Sequence, residues 1–201
     1  MITSDKIILV EGKDEIGFFT ALCEKEELQE YQIIEVGGVD KFKDELPVII
    51  NDRNFDEVTS IAIIRDADSS IKAALQSIKA ILEKNGLSAP DSHSSIKAVE
   101  NRKVGLFIMP GNRDEGMLEN LVLDSVSNNP VKIQADLYIE NLKNTLPPEV
   151  FPQNEHKARL HAYLSGMKKF VPSLGLATQK GYFDLDSEHF NELKKFLNDL
   201  K

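Results

Sequence analysis

The sequence predicts an α/β protein in which a mostly parallel, four-stranded sheet carries helices on both faces and is followed by a C-terminal helical extension. Three observations lead to this fold class. Apolar runs of about four to eight residues are nearly continuous, which is typical of strands buried on both sides. These runs alternate with segments of helical periodicity, and such alternation builds parallel sheets. Beyond about residue 130 only helical patterns follow.

The first half of the sheet is predicted from two apolar runs. The first strand covers residues 6–10, inside the stretch KIILVEGKDE, and a helix with apolar residues at helical spacing follows over about 14–25. The second strand, YQIIEV at 31–36, ends at two glycines. A short helix over 40–51 comes next, and Pro47 is expected to interrupt or redirect it.

The second half of the sheet follows the same alternation. A third strand is predicted at about 58–65, and the stretch SSIKAALQSIKAILEKNG is the clearest helix, with serines at its start and Gly86 as its stop. The stretch APDSHSS is predicted to be a polar loop. The fourth strand is KVGLFIMP, closed by Pro110, and GMLENLVLDSV forms a helix after a glycine-containing turn.

The change of pattern near residue 130 predicts the domain organisation. Helices are expected at roughly 130–144, 154–168 and 187–200. We therefore expect an α/β domain over 1–128 and a helical extension over 129–201 that packs on it, or a single domain formed by the whole chain.

Composition limits the class of protein. The formal net charge is −9, which does not favour non-specific polyanion binding. A local basic segment, 155–180, is most simply interpreted as a solvated helix face. No apolar stretch approaches the roughly 20 residues of a membrane span, and the N-terminus lacks a secretory signal. The single cysteine, Cys23, excludes an intrachain disulfide and a cysteine zinc cluster, so a cytoplasmic protein without a membrane partner is expected.

Acidic residues follow three of the predicted strands directly. Glu11 follows the first strand, Asp66 and Asp68 follow the third, and a run with Asp114, Glu115 and Glu119 follows the fourth. The carboxyl ends of parallel strands meet at one edge of a sheet, where ligands bind at the switch in strand order. Like charges gathered there repel each other unless a cation lies between them. Oxygen ligands of this kind favour Mg²⁺, with Mn²⁺ as a substitute.

The spacing of the acids supports a shared site. If the strand exit is extended, Asp66 and Asp68 point the same way and converge on one ion. Glu11 and Glu15 are four residues apart and share a helix face if the helix begins near Gly12. Taken singly, each acid could equally cap a helix N-terminus, and it is the combination that favours a metal site.

These motifs resemble the Toprim family, through the glutamate of ILVEGKDE and the Asp-x-Asp of IIRDADSS. The resemblance covers roughly residues 5–125 and implies a Rossmann-like fold in which Glu11 acts as general acid or base and Asp66 and Asp68 hold Mg²⁺. The chain is too short for a topoisomerase and lacks the cysteines of the primase zinc module.

Within that family the sequence is most similar to the Toprim half of overcoming-lysogenisation-defect (OLD) nucleases and to small stand-alone Toprim-related proteins of unknown function. The similarity implies roles for Glu15, for Glu119 and for Lys180 in QKGYFDL. Two departures stand out. Met117 occupies a position that is usually serine, and the ATPase motif GxxxxGK[ST] of the OLD partner half is missing from the sequence.

The resemblance implies a two-metal arrangement. Glu11, Asp66 and Asp68 would hold one Mg²⁺, and Glu15 and Glu119 a second, with Asp66 as a candidate bridge. Lys180 would neutralise charge in the transition state, although an ordinary loop lysine is the alternative interpretation. Three basic residues near the same edge are candidates for contacts to flanking phosphates, although the first two could instead pair with neighbouring acids: Lys13, Arg65 and Arg113.

Two functions from different classes therefore remain open. The first is a Mg²⁺-dependent nuclease or related phosphodiester hydrolase, with nucleic acid as the partner. The second is a non-catalytic metal-binding or protein-interaction module, for example a regulator or the detached half of a defence system, with a protein partner. A receiver-like phosphorylation domain fits the Glu11 and Asp-x-Asp pattern poorly. The preferred polymer and the oligomeric state stay open.

Overall fold

The protein is built around a five-stranded sheet of order β2-β1-β3-β5-β4. The computed structural model describes residues 1–201, apart from the side chain of Val39. The strands are β1 (Lys6–Val10), β2 (Tyr31–Glu35), β3 (Ser60–Asp66), β4 (Ser95–Val99) and β5 (Arg102–Met109). The α/β class with a mostly parallel sheet is confirmed.

The strand order contains one switch point. β1 pairs in parallel with β2 on one side and with β3 on the other, and β3 pairs in parallel with β5. The chain therefore builds outward from β1 in one direction first and in the opposite direction afterwards. The connections on either side of such a switch diverge, which leaves a crevice outside the carboxyl ends of β1 and β3.

Eight α-helices cover the two faces of the sheet. They are α1 (Lys13–Lys25), α2 (Phe42–Ile50), α3 (Ile71–Lys84), α4 (Leu118–Asp124), α5 (Pro130–Thr145), α6 (Glu155–Ser165), α7 (Leu174–Gln179) and α8 (Asn191–Leu200). α2 and α3 bury their apolar residues on one face, and residues from the other six helices join the core on the opposite face. No helix in the described part of the chain is both long and apolar enough to cross a membrane.

The alternation of side chains along the strands produces these two cores. Ile8 and Val10 of β1 lie in the core under α1 and α8, whereas Ile7 and Leu9 lie in the core under α2 and α3. All four are completely buried, as expected for a strand covered on both faces.

The sheet has one strand more than the four that the sequence predicts. β4 follows the predicted polar loop and pairs antiparallel with β5 as an edge strand. Its residues are largely exposed, so the segment carries no apolar run that could have marked it. The short helix α7 was also not predicted. The predicted helix at 187–200 begins with a 3-10 turn at Glu188–Phe190 before α8.

The C-terminal helices are fixed to the sheet and to α1. The Ser60 hydroxyl donates a hydrogen bond of 3.0 Å to the carbonyl of Leu200, which holds the end of α8 against β3. α7 crosses α1 so closely that a Cβ added to Gly17 would lie 2.6 Å from the Cα of Gly175. Only glycine permits this backbone contact. The division into 1–128 and 129–201 stays a prediction, since the two parts share one apolar core.

Candidate metal and phosphate site

The structure brings Glu11 and Asp66 together at the switch point. Glu11 follows β1, and Asp66 is the last residue of the neighbouring β3. The backbone N–H of Asp66 donates a hydrogen bond of 3.1 Å to Oε1 of Glu11. The two predicted acids therefore lie side by side in the crevice where a parallel sheet binds its ligands.

Asp66 also joins the loop that follows β5. Its Oδ1 accepts a hydrogen bond of 3.0 Å from the backbone N–H of Leu118, the first residue of α4. The N-terminus of α4 is thus held at the end of β3. Glu119, the next residue, is brought to the same edge and is 9% exposed.

The backbone that carries Asp68 differs from the extended conformation that its spacing predicts. The expectation of an extended exit from β3 is wrong, because β3 ends at Asp66 and Asp68 adopts a left-handed backbone with φ of 52°. Two backbone hydrogen bonds with Gly116, of 2.9 and 2.8 Å, hold this turn against the loop after β5. Asp68 is exposed, and the strand alternation does not align it with Asp66.

Glu15 lies in the first turn of α1, but Glu11 does not share its helix face. Gly12 is the N-cap, so Glu11 precedes the helix and belongs to the end of β1. Glu15 turns back over the helix N-terminus, where burial raises the pKa of its carboxyl and the N–H groups of Glu15 and Gly12 oppose the rise. An acid in this position is stabilised by the helix dipole.

Burial, together with the charges of neighbouring acids, raises the pKa values of the carboxyl groups at this edge. Burial raises the pKa of Glu11 to about 7, the Asp66 N–H and Arg65 oppose the rise, and the charges of Asp68 and Glu15 add to it. The pKa of Asp66 is raised well above its ordinary value by burial, then by Glu11, Glu119 and Glu15. Burial likewise raises the pKa of Glu15 and Glu119. The site therefore concentrates negative charge in a poorly solvated place.

The acids approach each other without yet converging. Within the described residues, no three side chains of His, Cys, Asp or Glu meet at a point where they could jointly hold an ion. The available donors are all carboxylate oxygens, which suit a hard cation such as Mg²⁺ or Mn²⁺. The chemistry of the donor set thus fits the predicted metals, and convergence would require side-chain rotation.

Arg65 supports Glu11 from inside the protein. Its Nε lies 3.8 Å from Oε1 of Glu11, and the residue is 8% exposed. Its Nε and Nη1 have no hydrogen-bond partner among the described residues. A guanidinium buried in this way contacts a phosphate only if it leaves this position, so its observed role is to compensate the charge of Glu11.

The other three predicted basic residues are placed differently. Lys13 is exposed at the start of α1 and lines a cleft beside Glu15. Arg113 pairs with Asp124 and lines a separate groove beside α5 and α6. Lys180 is exposed directly after α7, and no acid among the described residues pairs with its ammonium.

The cleft next to the carboxylates has a volume of about 610 Å³ and is bounded by α1, α6 and α7. Its lining residues are Lys13, Asp14, Glu15, Gly17, Glu119, Lys157, Ser173, Gly175, Leu176 and Gln179. No role was predicted for Lys157, whose Nζ lies 3.9 Å from Oε1 of Glu119. The only indication in the sequence was that residues 155–180 contain more basic than acidic residues.

Comparison with solved structures shows where else this fold occurs. The C-terminal region of the Xanthomonas campestris pv. campestris OLD protein is similar with a TM-score of 0.52 and 14% identity, over 99% of this chain and 97% of that one. The C-terminal region of the Burkholderia pseudomallei OLD protein gives a TM-score of 0.49 and 13% identity, with 98% of both chains covered. At 14% identity, the likeness to the Xanthomonas campestris structure concerns the fold alone.

Comparisons of sequence complete the assignment. A search among curated proteins gives no significant match. One family model matches residues 5–201, nearly the whole chain. The chain therefore belongs to the family described as Protein of unknown function (DUF3226).

Proposed function

We propose that this protein is a Mg²⁺-dependent phosphodiester-processing enzyme of the Toprim type, with nucleic acid as its substrate. The observation that carries the proposal is the pair of Glu11 and Asp66 at the switch point, joined by a 3.1 Å hydrogen bond. The Glu11 and Asp-x-Asp motifs and the fold shared with the C-terminal region of an OLD protein support it.

The carboxylates are the groups that would hold the metal. Glu11, Asp66 and Asp68 form one candidate set, and Glu15 and Glu119 form a second around the N-terminus of α1. When bound there, Mg²⁺ supplies an acidified water and neutralises phosphate oxygens. Met117, which is buried, takes the position of the usual serine and offers only a thioether, a poor ligand for a hard cation.

Glu11 is suited to move a proton. The Asp66 N–H and the Arg65 guanidinium both act on Oε1, so Oε2 is the oxygen that would take up the proton. Without a bound cation the pKa of Glu11 is about 7, so the carboxyl accepts and releases a proton near neutral pH. A cation held by Glu11 would lower this pKa. Buried Arg65 would hold Glu11 in this orientation throughout.

The basic residues would position the polymer. Lys13 stands at the mouth of the cleft beside Glu15, and Lys180 follows α7, whose residues Leu176 and Gln179 form one wall. Both ammonium groups are accessible for contacts to phosphate oxygens. Such contacts position a nucleic acid without reading its sequence.

Cleavage assays with matched variants test the proposal. The wild type is incubated with single- and double-stranded DNA and RNA in Mg²⁺, in Mn²⁺ and in EDTA. Glu11→Gln and Asp66→Asn are each expected to lose at least about 100-fold in rate, since they alter a proton acceptor and a metal ligand. Glu45→Gln and Asp44→Asn change exposed acids of α2 and are expected to keep full activity.

The same variants separate the enzyme from the non-catalytic module. Thermal melting with and without Mn²⁺ reports metal binding, because a ligand of the folded state raises the melting temperature. A wild type that binds Mn²⁺ through Asp66 but cleaves none of the four polymers would refute the enzyme and favour the module. Cleavage that Asp66→Asn leaves unchanged would refute this site.

A further inference from the structure

The packing of the fold does not depend on the side chain of Lys157. It lies on α6, which is held by its buried residues Leu160, Tyr163 and Leu164. Its side chain is 59% exposed and reaches over the cleft to Glu119, which is almost buried. An exposed lysine that points its ammonium at a buried carboxylate is free to leave it without disturbing the packing of the helix.

The cleft offers phosphate contacts rather than base contacts. None of the described residues that line it is aromatic, so it has no surface on which a base could stack. Its cationic side chains are Lys13 and Lys157, and Ser173 and Gln179 add neutral hydrogen-bonding groups. The acids Asp14, Glu15 and Glu119 would repel a phosphate unless a cation neutralised them first.

We infer that Lys157 is a substrate-contacting residue that exchanges partners: it rests on Glu119 in the metal-free protein and moves to a phosphate oxygen of the polymer once a divalent cation takes Glu119. This inference rests on the proposed function and names a residue that neither the Toprim resemblance nor the Asp-x-Asp motif identifies. No bond is made or broken in the exchange, and the ammonium keeps its protons.

The exchange requires two effects of opposite sign when the lysine is neutralised. Lys157→Met removes the cation that competes with the metal at Glu119, so Mn²⁺ is expected to bind about five- to tenfold more tightly, the scale of one charge interaction near a protein surface. The same variant loses one phosphate contact, so it binds nucleic acid more weakly. A purely structural lysine would weaken both.

Two binding measurements test the inference without relying on cleavage. Isothermal titration gives the Mn²⁺ affinity of each full-length protein. Fluorescence anisotropy gives the affinity for a labelled single-stranded DNA of about 12 nucleotides, in Ca²⁺, which uses the same oxygen ligands. Repeating the anisotropy between about 50 and 200 mM salt is expected to show a slope of log K against log salt that is shallower by about 0.7 in Lys157→Met.

Two further variants serve as controls. Lys157→Arg keeps the charge and is expected to restore DNA binding and its salt slope. Lys143→Met removes another exposed lysine that pairs with a glutamate, Glu155, outside the cleft, and should change neither affinity. Unchanged DNA affinity in Lys157→Met, or weaker Mn²⁺ binding in it, overturns the inference, as does a wild type that does not bind the DNA.

The outcomes distinguish the two proposals. If the wild type cleaves a polymer and Lys157→Met binds the DNA normally, the assignment of Lys157 is wrong and the proposed function stands. If DNA binding depends on Lys157 but no polymer is cleaved, the proposed function is wrong and the binding site stands.

Discussion

Glu11→Gln should remove part of the dependence of the free energy of unfolding on pH. The pKa of Glu11 rises from its ordinary value of 4.5 to about 7 in the folded protein, mainly because the carboxyl is buried. Its side chain is 14% exposed, so solvent screens the effect little. A rise of about 2.5 units corresponds to roughly 3 kcal/mol of preference for the protonated form in the folded state.

The sign follows from proton binding. Below pH 4.5 both the folded and the unfolded chain hold the proton on Glu11. Between pH 4.5 and about 7 the unfolded chain releases it and the folded chain keeps it, so the free energy of unfolding falls as the pH rises. Above about pH 7 the full loss of roughly 3 kcal/mol is present. Glutamine cannot ionise, and the variant escapes this loss.

Urea denaturation followed by circular dichroism measures the effect. The experiment compares the wild type with Glu11→Gln at steps from about pH 4.5 to about pH 8 in EDTA, so that no metal compensates the charge. The free energy of unfolding of the variant should gain about 2–3 kcal/mol relative to the wild type across this range. Glu45→Gln, an exposed glutamate on α2, should run parallel to the wild type. A Glu11→Gln profile that is also parallel would refute the raised pKa and the burial that causes it.

Three further substitutions probe the packing of the helices and the charge partner of Glu11. Gly17→Ala places a Cβ 2.6 Å from the Cα of Gly175 and should cost about 1–3 kcal/mol in urea; a loss below about 0.5 kcal/mol would contradict the close crossing of α1 and α7. Phe196→Ala removes a ring of α8 that is 2% exposed and should cost about 3–5 kcal/mol, whereas a loss under about 1 kcal/mol would mean that α8 does not pack as described. Arg65→Met in EDTA should change stability by less than about 1 kcal/mol near pH 5, where Glu11 is protonated, and lower it by more than about 2 kcal/mol near pH 8, where the carboxylate loses its partner. A loss that does not grow with pH would show that Arg65 does not compensate Glu11.

The fold was predictable because burial on both faces leaves a strong pattern. The runs that became β1, β3 and β5 are apolar almost without interruption, and the helix α3 shows the spacing of one buried stripe. β4 was not predicted because an exposed edge strand needs no apolar residues. It forms only by pairing with β5 in an antiparallel hairpin. α7 has only six residues, too few to show a helical period.

The site was predictable only where the backbone determines it. Glu11 and Asp66 stand at the ends of neighbouring parallel strands, so the sheet itself brings them together. Asp68 depended on the dihedral angles of a single turn, and the φ of 52° that it adopts cannot be derived from the spacing of two aspartates. Arg65 was predicted as a candidate phosphate contact, but it lies in β3, which is covered on both faces, and it is therefore buried.

The C-terminal helices form the parts of the cleft that the first 128 residues alone cannot predict. α7 lies against α1 through Gly17 and Gly175, and the N–H of Gly175 donates a hydrogen bond of 3.2 Å to Oδ1 of Asp14, a neighbour of Glu15. α6 brings Lys157 to Glu119 from the other side. Two walls of the cleft and one of its two cations thus come from the segment that the sequence marks only as helical. A fragment that ended at residue 128 would keep every predicted carboxylate and would lose the cleft, because the carboxylates alone repel a phosphate and only the added helices give it a place to bind.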